Sequence, residues 1–178
     1  DIDNCPSPDN PIIRKPFFCS GCPHNSSLKV PEGKRALGGI GCHYMAVDSI
    51  ESTEFFTQMG GEGTPWIGIA PFSHEKHVFA NLGDGTYKHS GILAIRASLD
   101  ANVNITYKIL YNDAVAMTGG QEIGSNWDVE GIVKQVLAEG VKKVSILSED
   151  PKRYNQLVNS EVKSLHRDAI ITEQEELS

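Results

Sequence analysis

The chain has 178 residues and a formal net charge of −7, which is enough sequence for one α/β domain with its own hydrophobic core. The acidic balance disfavours nonspecific nucleic-acid binding and leaves an anionic ligand dependent on a metal ion or on local dipoles. The apolar runs fall short of the ~20 residues of a membrane-spanning helix, so we expect neither a nucleic-acid nor a membrane partner.

The first third of the chain shows few signs of regular structure. Residues 1–16 are rich in proline and poor in apolar residues, which predicts an extended lead-in before one domain over residues 17–178. Residues 17–63 are punctuated by Gly and Cys, so we interpret them as loops of the kind in which functional residues concentrate. Because the chain begins with Asp1 rather than Met and shows no signal peptide, we expect a fragment of a larger, cytoplasmic, multidomain enzyme.

A regular alternation of strands and helices begins near Lys76. Strands are predicted over residues 77–82, 105–111, 144–147 and 162–165. Helical spacing of apolar residues predicts a helix over 87–99, one from the N-cap Asp128 to Gly140, one opened by Pro151, and an acidic one capped by Asp168 with its glutamates in solvent. This alternation predicts an α/β fold, in which a parallel sheet has helices on both faces and binds ligands beyond the carboxyl ends of its strands.

Two of the predicted strands end at residues suited to binding a cation. Gly83-Asp84-Gly85 follows the first strand, and Asn112 follows the second. Mg²⁺ prefers oxygen ligands, and Asp84 offers a carboxylate, Asn112 a side-chain carbonyl and Ala114 a main-chain carbonyl. The glycines beside Asp84 let main-chain N–H groups and the start of the next helix approach phosphate oxygens. The pattern is typical of a divalent metal clamped onto a diphosphate, although Gly-Asp-Gly is also a common tight turn.

Two further loops are candidates for contact with the same ligand. In the run Ala-Met-Thr-Gly-Gly-Gln, the candidate side chains are Thr118 and Gln121. The run Met-Gly-Gly-Glu-Gly is too rich in glycine for a helix interior, and here Met59 and Gly60 are predicted to let the backbone approach a cofactor closely. The alternative for both loops is a local role in stabilising the loop itself.

Three of the four cysteines indicate metal or redox chemistry. Cys19 and Cys22 form a CxxC pair, and Cys42 follows them. Because no secretory signal is present, this spacing favours a metal site over a disulfide framework. Three thiolates are one short of the usual four, and His24 or His43 is the candidate for completing a Cys₃His zinc site.

Five motifs, in this order, carry a resemblance to a known family. They are Phe-Cys-Ser-Gly-Cys-Pro-His-Asn from Phe18, Gly-Cys-His-Tyr from Gly41, Thr-Gln-Met-Gly-Gly-Glu-Gly from Thr57, Gly-Asp-Gly-Thr-Tyr from Gly83 and Ala-Met-Thr-Gly-Gly-Gln from Ala116. Together they resemble the 2-oxoacid:ferredoxin oxidoreductases, in particular the large single-chain bacterial indolepyruvate ferredoxin oxidoreductases. The resemblance implies the diphosphate-side domain of a thiamine diphosphate-binding fold, with the cofactor held through Mg²⁺.

The resemblance also implies a metal cluster, a reaction and partners. A [4Fe–4S] cluster would have Cys19, Cys22 and Cys42 as three ligands and a fourth cysteine downstream of this chain, with Cys5 outside the ligand set. The reaction is oxidative decarboxylation of an aromatic 2-oxoacid such as indole-3-pyruvate, with coenzyme A as the acyl acceptor and ferredoxin as the electron acceptor.

The chain lacks one part of such an active site. The activating Glu of these enzymes lies in a separate pyrimidine-binding domain, and no motif for it is present. We therefore expect this chain to supply half of an active site in a homo-oligomeric enzyme and to be inactive alone. The rival interpretations are a zinc-containing α/β binding module and a structural domain that has lost its cofactor.

Overall fold

Four parallel strands organise the domain. The computed structural model describes residues 16–49, 52–124 and 128–178, so nearly all of the predicted lead-in, including Cys5, lies outside the described residues. The strands are β1 (Ala36–Gly38), β2 (Thr53–Phe56), β3 (Val78–Gly83) and β4 (Ile105–Leu110). Their order across the sheet is β2-β1-β3-β4, and every pair is parallel. The predicted parallel sheet is confirmed, but β1 and β2 lie in the segment that was interpreted as loops.

The register of the two longest strands fixes where the candidate metal-binding residues lie. β3 and β4 pair along their whole length, from Val78 opposite Ile105 to Gly83 opposite Leu110. Their carboxyl ends are therefore level, and the chain leaves both strands at the same edge of the sheet. Asp84 and Asn112 follow at this edge, where parallel sheets bind their ligands.

Helices cover both faces of the sheet. On one face lie α3 (Thr64–Ile69), α5 (Ile92–Asp100) and α6 (Val129–Ala138). Their apolar side chains and those of the sheet form two clusters, composed of Leu82, Tyr87, Ile95, Ile132 and Val136 and of Leu37, Trp66 and Val78. The opposite face is covered by α1 (His24–Ser27) and α2 (Ala46–Ser49), and its cluster contains Leu28, Ala46 and Leu110. None of the helices in the described ranges has both the length and the apolar character that crossing a bilayer requires.

The helix predicted over residues 87–99 is part of a longer helical run. It begins with α4 (Asp84–Thr86), widens into a π-helix at Tyr87–Gly91 and continues as α5. The next helix, α6, begins and ends as predicted. The Asp128 carboxylate accepts a hydrogen bond from the Gly131 N–H group (2.8 Å), and Gly140 follows the helix with a φ of +99°.

The chain after β4 forms two further sheets of two strands each. The short strands β5 (Ala114–Val115) and β6 (Gln121–Glu122) first make an antiparallel hairpin. β7 (Val144–Ser148) and β8 (Val162–His166) then pair in parallel, with a 3₁₀ helix at Pro151–Leu157 between them. The two strands were predicted correctly, but in the described part of the chain they form no ladder with the four-stranded sheet.

The C-terminal helix α7 (Ile170–Leu177) departs from the sequence prediction in two ways. Asp168 does not cap it, because a 3₁₀ turn at Arg167–Ala169 intervenes and Ala169 occupies the N-cap. Nor is the acidic face wholly solvated, because Glu173 is buried and accepts hydrogen bonds from Ser145 (2.6 Å) and Lys163 (3.0 Å). These contacts dock α7 on the β7–β8 pair.

Lys108 joins the N-terminal segment to the sheet and to α7. From β4, its amine donates to the main-chain carbonyls of Ser27 (2.9 Å) and Lys29 (3.2 Å) and lies 3.5 Å from the Gln174 side-chain oxygen. The amine also lies 5.6 Å from the centroid of the Phe79 ring. Burial without a carboxylate partner among these groups lowers the pKa of Lys108 to about 7.

We expect Lys108→Met to flatten the pH dependence of stability above neutrality. Between pH ~7 and pH ~10 the unfolded chain binds the Lys108 proton more tightly than the folded chain does, so the unfolding free energy rises with pH. The substitution removes this contribution. Urea unfolding across that range measures the slope, with the exposed Lys142→Met as the control. Equal slopes for Lys108→Met and the unsubstituted protein would contradict the assignment.

Candidate functional site

The carboxylate of Asp84 connects the ends of the two central strands. Asp84 directly follows β3 and is 5% exposed. One carboxylate oxygen accepts from the Gly85 N–H group (2.8 Å). The other accepts from the N–H groups of Asn112 (2.8 Å) and Asp113 (2.7 Å), beyond the end of β4. The structure thus brings the two predicted ligand residues, Asp84 and Asn112, to one point.

The donor set at this point fits a divalent cation. A carboxylate has about four acceptor positions, and three of those on Asp84 are taken by N–H groups, which leaves room for a metal ion. The Asn112 side-chain oxygen accepts from the Ala114 N–H group (3.1 Å), and Asp113 between them has a left-handed φ of +56°. The turn thus places the Asn112 main chain against Asp84 and the Asn112 side-chain oxygen against the Ala114 N–H group. Magnesium binding by Asp84, Asn112 and the Ala114 carbonyl remains a prediction.

The glycine loop after β2 lies against the helical run that starts at Asp84. Gly60 has a φ of +88°, and a Cβ atom there would lie 2.7 Å from Cβ of Ser90, in the π-helix. Only glycine therefore fits at this contact. Met59, beside it, has a half-exposed side chain. π-Helical turns are frequent at functional sites, and this one places the predicted loop next to the Gly-Asp-Gly turn.

The β5–β6 hairpin packs on the same turn through its base. A Cβ atom at Gly85 would lie 3.2 Å from the Val115 side chain, so the hairpin and the turn are in close contact. At the tip, the Thr118 hydroxyl donates to the Gln121 side-chain oxygen (2.7 Å), and the Gln121 amide donates to the Thr118 carbonyl (2.8 Å). Thr118 and Gln121 are exposed and hydrogen-bonded to each other, and their contact with a cofactor remains a prediction.

The three predicted cysteine ligands share one neighbourhood. Cys19 and Cys22 form a turn in which the Cys22 N–H group donates to the Cys19 carbonyl (3.0 Å), and Cys42 begins a 3₁₀ helix after β1. All three are free thiols. Burial raises the pKa of Cys42, and the proximity of Cys22 and Cys19 raises it further. Across residues 16–49, 52–124 and 128–178, no group of three or more His, Cys, Asp or Glu side chains is arranged to hold a metal ion.

Two histidines lie near the Gly-Asp-Gly turn: a Cβ atom at Gly83 would lie 3.8 Å from the His43 ring, and Asp84 influences the pKa of His24. His43 is 3% exposed, burial lowers its pKa to about 4, and its Nε2 has no hydrogen-bond partner in the described residues. Burial also lowers the pKa of His24, against the opposing influence of Asp84. Both ring nitrogens of His24 likewise lack partners within the described part of the chain. His43 is thus a buried, neutral imidazole.

One buried residue of this region was not predicted from the sequence as a functional residue. Glu62, in the glycine loop, is 0% exposed and accepts a hydrogen bond from the Gly60 N–H group (2.7 Å). Its only sequence signal is a single charge enclosed by three glycines, a composition that also suits a solvated turn.

The sequence of the chain matches a known protein family. A model described as "Thiamine pyrophosphate enzyme, C-terminal TPP binding domain" matches residues 39–160, more than half of the chain. The chain belongs to this thiamine pyrophosphate-binding family. The matched residues run from just after β1 to the connection before β8, so they include Asp84, Asn112 and both candidate loops. Of the cysteine ligands predicted above, only Cys42 lies within the match.

Curated relatives in this family carry one recurring name. The chain is 27% identical over 176 residues to "Indolepyruvate oxidoreductase subunit IorA" of Archaeoglobus fulgidus, covering 88% of this chain and 27% of the relative. It is 27% identical to the proteins of that name from Thermococcus kodakarensis, over 150 residues, and Pyrococcus abyssi, over 154 residues, covering 73% of this chain and 23% of each relative. The chain thus spans about a quarter of the length of these relatives. No solved structure matches it. The family match and these relatives confirm the resemblance seen in the sequence.

Proposed function

We propose that this chain is the diphosphate-binding half of the active site of an oxidoreductase that converts aryl 2-oxoacids, such as indole-3-pyruvate, to acyl-CoA. The observation that carries the proposal is the Asp84 carboxylate, buried at the carboxyl edge of a thiamine pyrophosphate-binding domain and hydrogen-bonded to the turn that contains Asn112. The substrate is suggested by the name of the relatives, whose full length far exceeds this chain.

The residues of the edge have distinct roles in this proposal. Asp84, Asn112 and the Ala114 carbonyl would hold Mg²⁺, which would offset the negative charge of the diphosphate. Gly85 and the start of the helical run offer main-chain N–H groups to the phosphate oxygens. Met59, Gly60, Thr118 and Gln121 contact the remainder of the cofactor. When bound, thiamine diphosphate supplies the nucleophilic carbon for the decarboxylation.

The overall reaction balances with two molecules of a one-electron acceptor. The carboxyl group of the 2-oxoacid leaves as CO₂, and the remaining acyl carbon loses two electrons, one to each of two ferredoxins. The coenzyme A thiol loses its proton and takes up the acyl group. Cys19, Cys22 and Cys42 would be three ligands of a [4Fe–4S] cluster that would supply the electron-transfer group, with a fourth cysteine from outside this chain. The shared neighbourhood of the three free thiols supports this assignment.

The complete enzyme requires further parts. We assign the activating Glu to a pyrimidine-binding domain of the same enzyme and expect a homo-oligomer in which the two kinds of domain meet. Free thiols and an oxygen-sensitive cluster suit a reducing compartment, so we place the enzyme in the cytoplasm.

Calorimetric titration with thiamine diphosphate tests the cofactor assignment. The full natural polypeptide that carries this sequence is purified without oxygen and titrated with and without Mg²⁺. We expect saturable binding that disappears when Mg²⁺ is omitted, because only the metal joins two anionic groups, the carboxylate and the diphosphate. Absence of binding would favour a structural domain without cofactor, and one zinc per chain without iron would favour a zinc-binding module.

A further inference from the structure

The buried Glu62 carboxyl group holds two loops of the ligand-binding edge together. One of its oxygens accepts from the Gly60 N–H group (2.7 Å), within the loop after β2. The side chain also packs against the turn after β1, because a Cβ atom at Gly39 would lie 2.6 Å from the other carboxyl oxygen. The N–H group of Ile40 in the same turn is close enough to favour the carboxylate form electrostatically. A single side chain thus fixes the relative position of both loops.

The main chain of Glu62 is also held by a hydrogen bond. Its carbonyl accepts from the Tyr107 hydroxyl (2.9 Å) on β4, and this hydroxyl also lies 2.9 Å from that of Ser98 on α5. The second carboxyl oxygen makes no hydrogen bond of normal geometry within the described residues, although the Ile40 N–H group lies near the carboxyl group, and burial raises the pKa of Glu62. A buried carboxyl group with one unpartnered oxygen reduces stability, so its presence calls for a functional reason.

The hydrogen bond to Gly60 sets the orientation of one peptide unit. The Met59–Gly60 peptide bond is trans, like every described peptide bond, so the Gly60 N–H group and the Met59 carbonyl point in opposite directions. The N–H group points inward to Glu62, and the carbonyl therefore points away from it. Met59 itself keeps a half-exposed side chain beside the helical run that follows Asp84.

We propose that Glu62 is a positioning residue that holds the Met59–Gly60 peptide in the orientation required to bind thiamine diphosphate. The inference rests on the proposed function, since it concerns the same cofactor. Glu62 does not touch the cofactor in this scheme and acts through the loop that carries Met59. A carboxyl group that faces the protein interior, rather than a residue that contacts the cofactor, thereby determines the affinity of the site for thiamine diphosphate.

Two substitutions of similar side-chain volume distinguish the loss of the hydrogen bond to Gly60 from the loss of packing. Glu62→Gln keeps an acceptor for the Gly60 N–H group, whereas Glu62→Met fills the space without an acceptor. In the full natural polypeptide we expect Glu62→Met to weaken thiamine diphosphate binding in Mg²⁺ by about tenfold and Glu62→Gln by less than about threefold. We also expect Glu62→Met to reduce the near-ultraviolet circular dichroism of the bound cofactor, which depends on a fixed orientation. Glu32→Gln and Glu32→Met, at an exposed position, are the controls.

A double-mutant cycle with Met59→Ala tests whether Glu62 acts through its loop. The two effects on affinity should be less than additive, because the contact of the Met59 side chain with the cofactor depends on the peptide orientation that Glu62 sets. If Glu62→Met does not fold, Gly39→Ala serves instead, since its Cβ atom displaces the Glu62 side chain. Unchanged affinity in Glu62→Met and Gly39→Ala, or fully additive effects with Met59→Ala, would overturn the inference alone. Failure of the unsubstituted protein to bind the cofactor would instead overturn the proposed function, and this inference with it.

Discussion

Replacing Asp84 by Asn should lower the affinity for thiamine diphosphate and Mg²⁺ by about a hundredfold or more. Loss of residues that merely orient a metal ligand already costs 10–100-fold in metal affinity, and Asp84 is the only charged side chain among the three proposed ligands. Asn keeps one oxygen that can accept from the main chain, so the substitution removes the charge while retaining part of the link between β3 and β4. Calorimetric titration of the full polypeptide measures the loss.

The control for this experiment is Asp100→Asn, at an exposed position on α5. It makes the same chemical change away from the candidate site, so the cofactor affinity should stay at the unsubstituted value. Thermal unfolding without cofactor reports the structural part of the Asp84 effect, since the carboxylate also accepts three main-chain hydrogen bonds. If Asp84→Asn retains full affinity, the metal site lies elsewhere.

Cys22→Ala in the complete enzyme should remove one cluster, lowering the iron content by about four atoms per chain. Ferredoxin reduction should stop, whereas decarboxylation should survive in part because it precedes electron transfer. The segment should stay folded, because Arg167 donates to the Pro23 carbonyl (3.0 Å) and the Ser26 hydroxyl (2.6 Å) without involving the thiol. Iron analysis and electron paramagnetic resonance measure the outcome.

Ser20→Ala is the matched control for the cysteine experiment. Ser20 lies between the two cysteines of the CxxC pair and is exposed, so its loss tests the effect of disturbing the loop alone. Iron content and ferredoxin reduction should be unchanged. An unaltered iron content in Cys22→Ala would assign the CxxC loop a structural role.

The sequence predicted those elements whose signals are local. β3, β4 and α6 have long apolar patterns, and the Asp128 cap of α6 forms the expected hydrogen bond. β1 and β2 have three and four residues, too few for a pattern to be visible, and every residue of β1 is buried, so no alternation marks it. The sheet to which a strand belongs depends on pairing between distant residues, which explains why the separate β7–β8 sheet was not predicted.

The candidate site shows the same difference between features with local sequence signals and features that depend on distant residues. Asp84 and Asn112 were predicted to meet because each directly follows a parallel strand, and strand ends meet at one edge. Glu62 was not predicted, because its burial depends on the turn at Gly39 and on Tyr107, which are distant in sequence. The mutual hydrogen bonding of Thr118 and Gln121 depends on side-chain conformations that the sequence pattern leaves undefined.

The docking of the CxxC segment constrains the order of events during translation. Arg167 bonds to the Pro23 carbonyl across a separation of 144 residues, and the Gln174 amide bonds to the Lys29 carbonyl across 145. The ribosome must therefore synthesise the chain as far as α7 before these contacts can form. Until then the segment that carries Cys19 and Cys22 is held by contacts with β4, through Lys108 and Leu110, and lacks its contacts with Arg167 and Gln174. The CxxC pair accordingly acquires its complete packing only after the last helix of this domain has been synthesised.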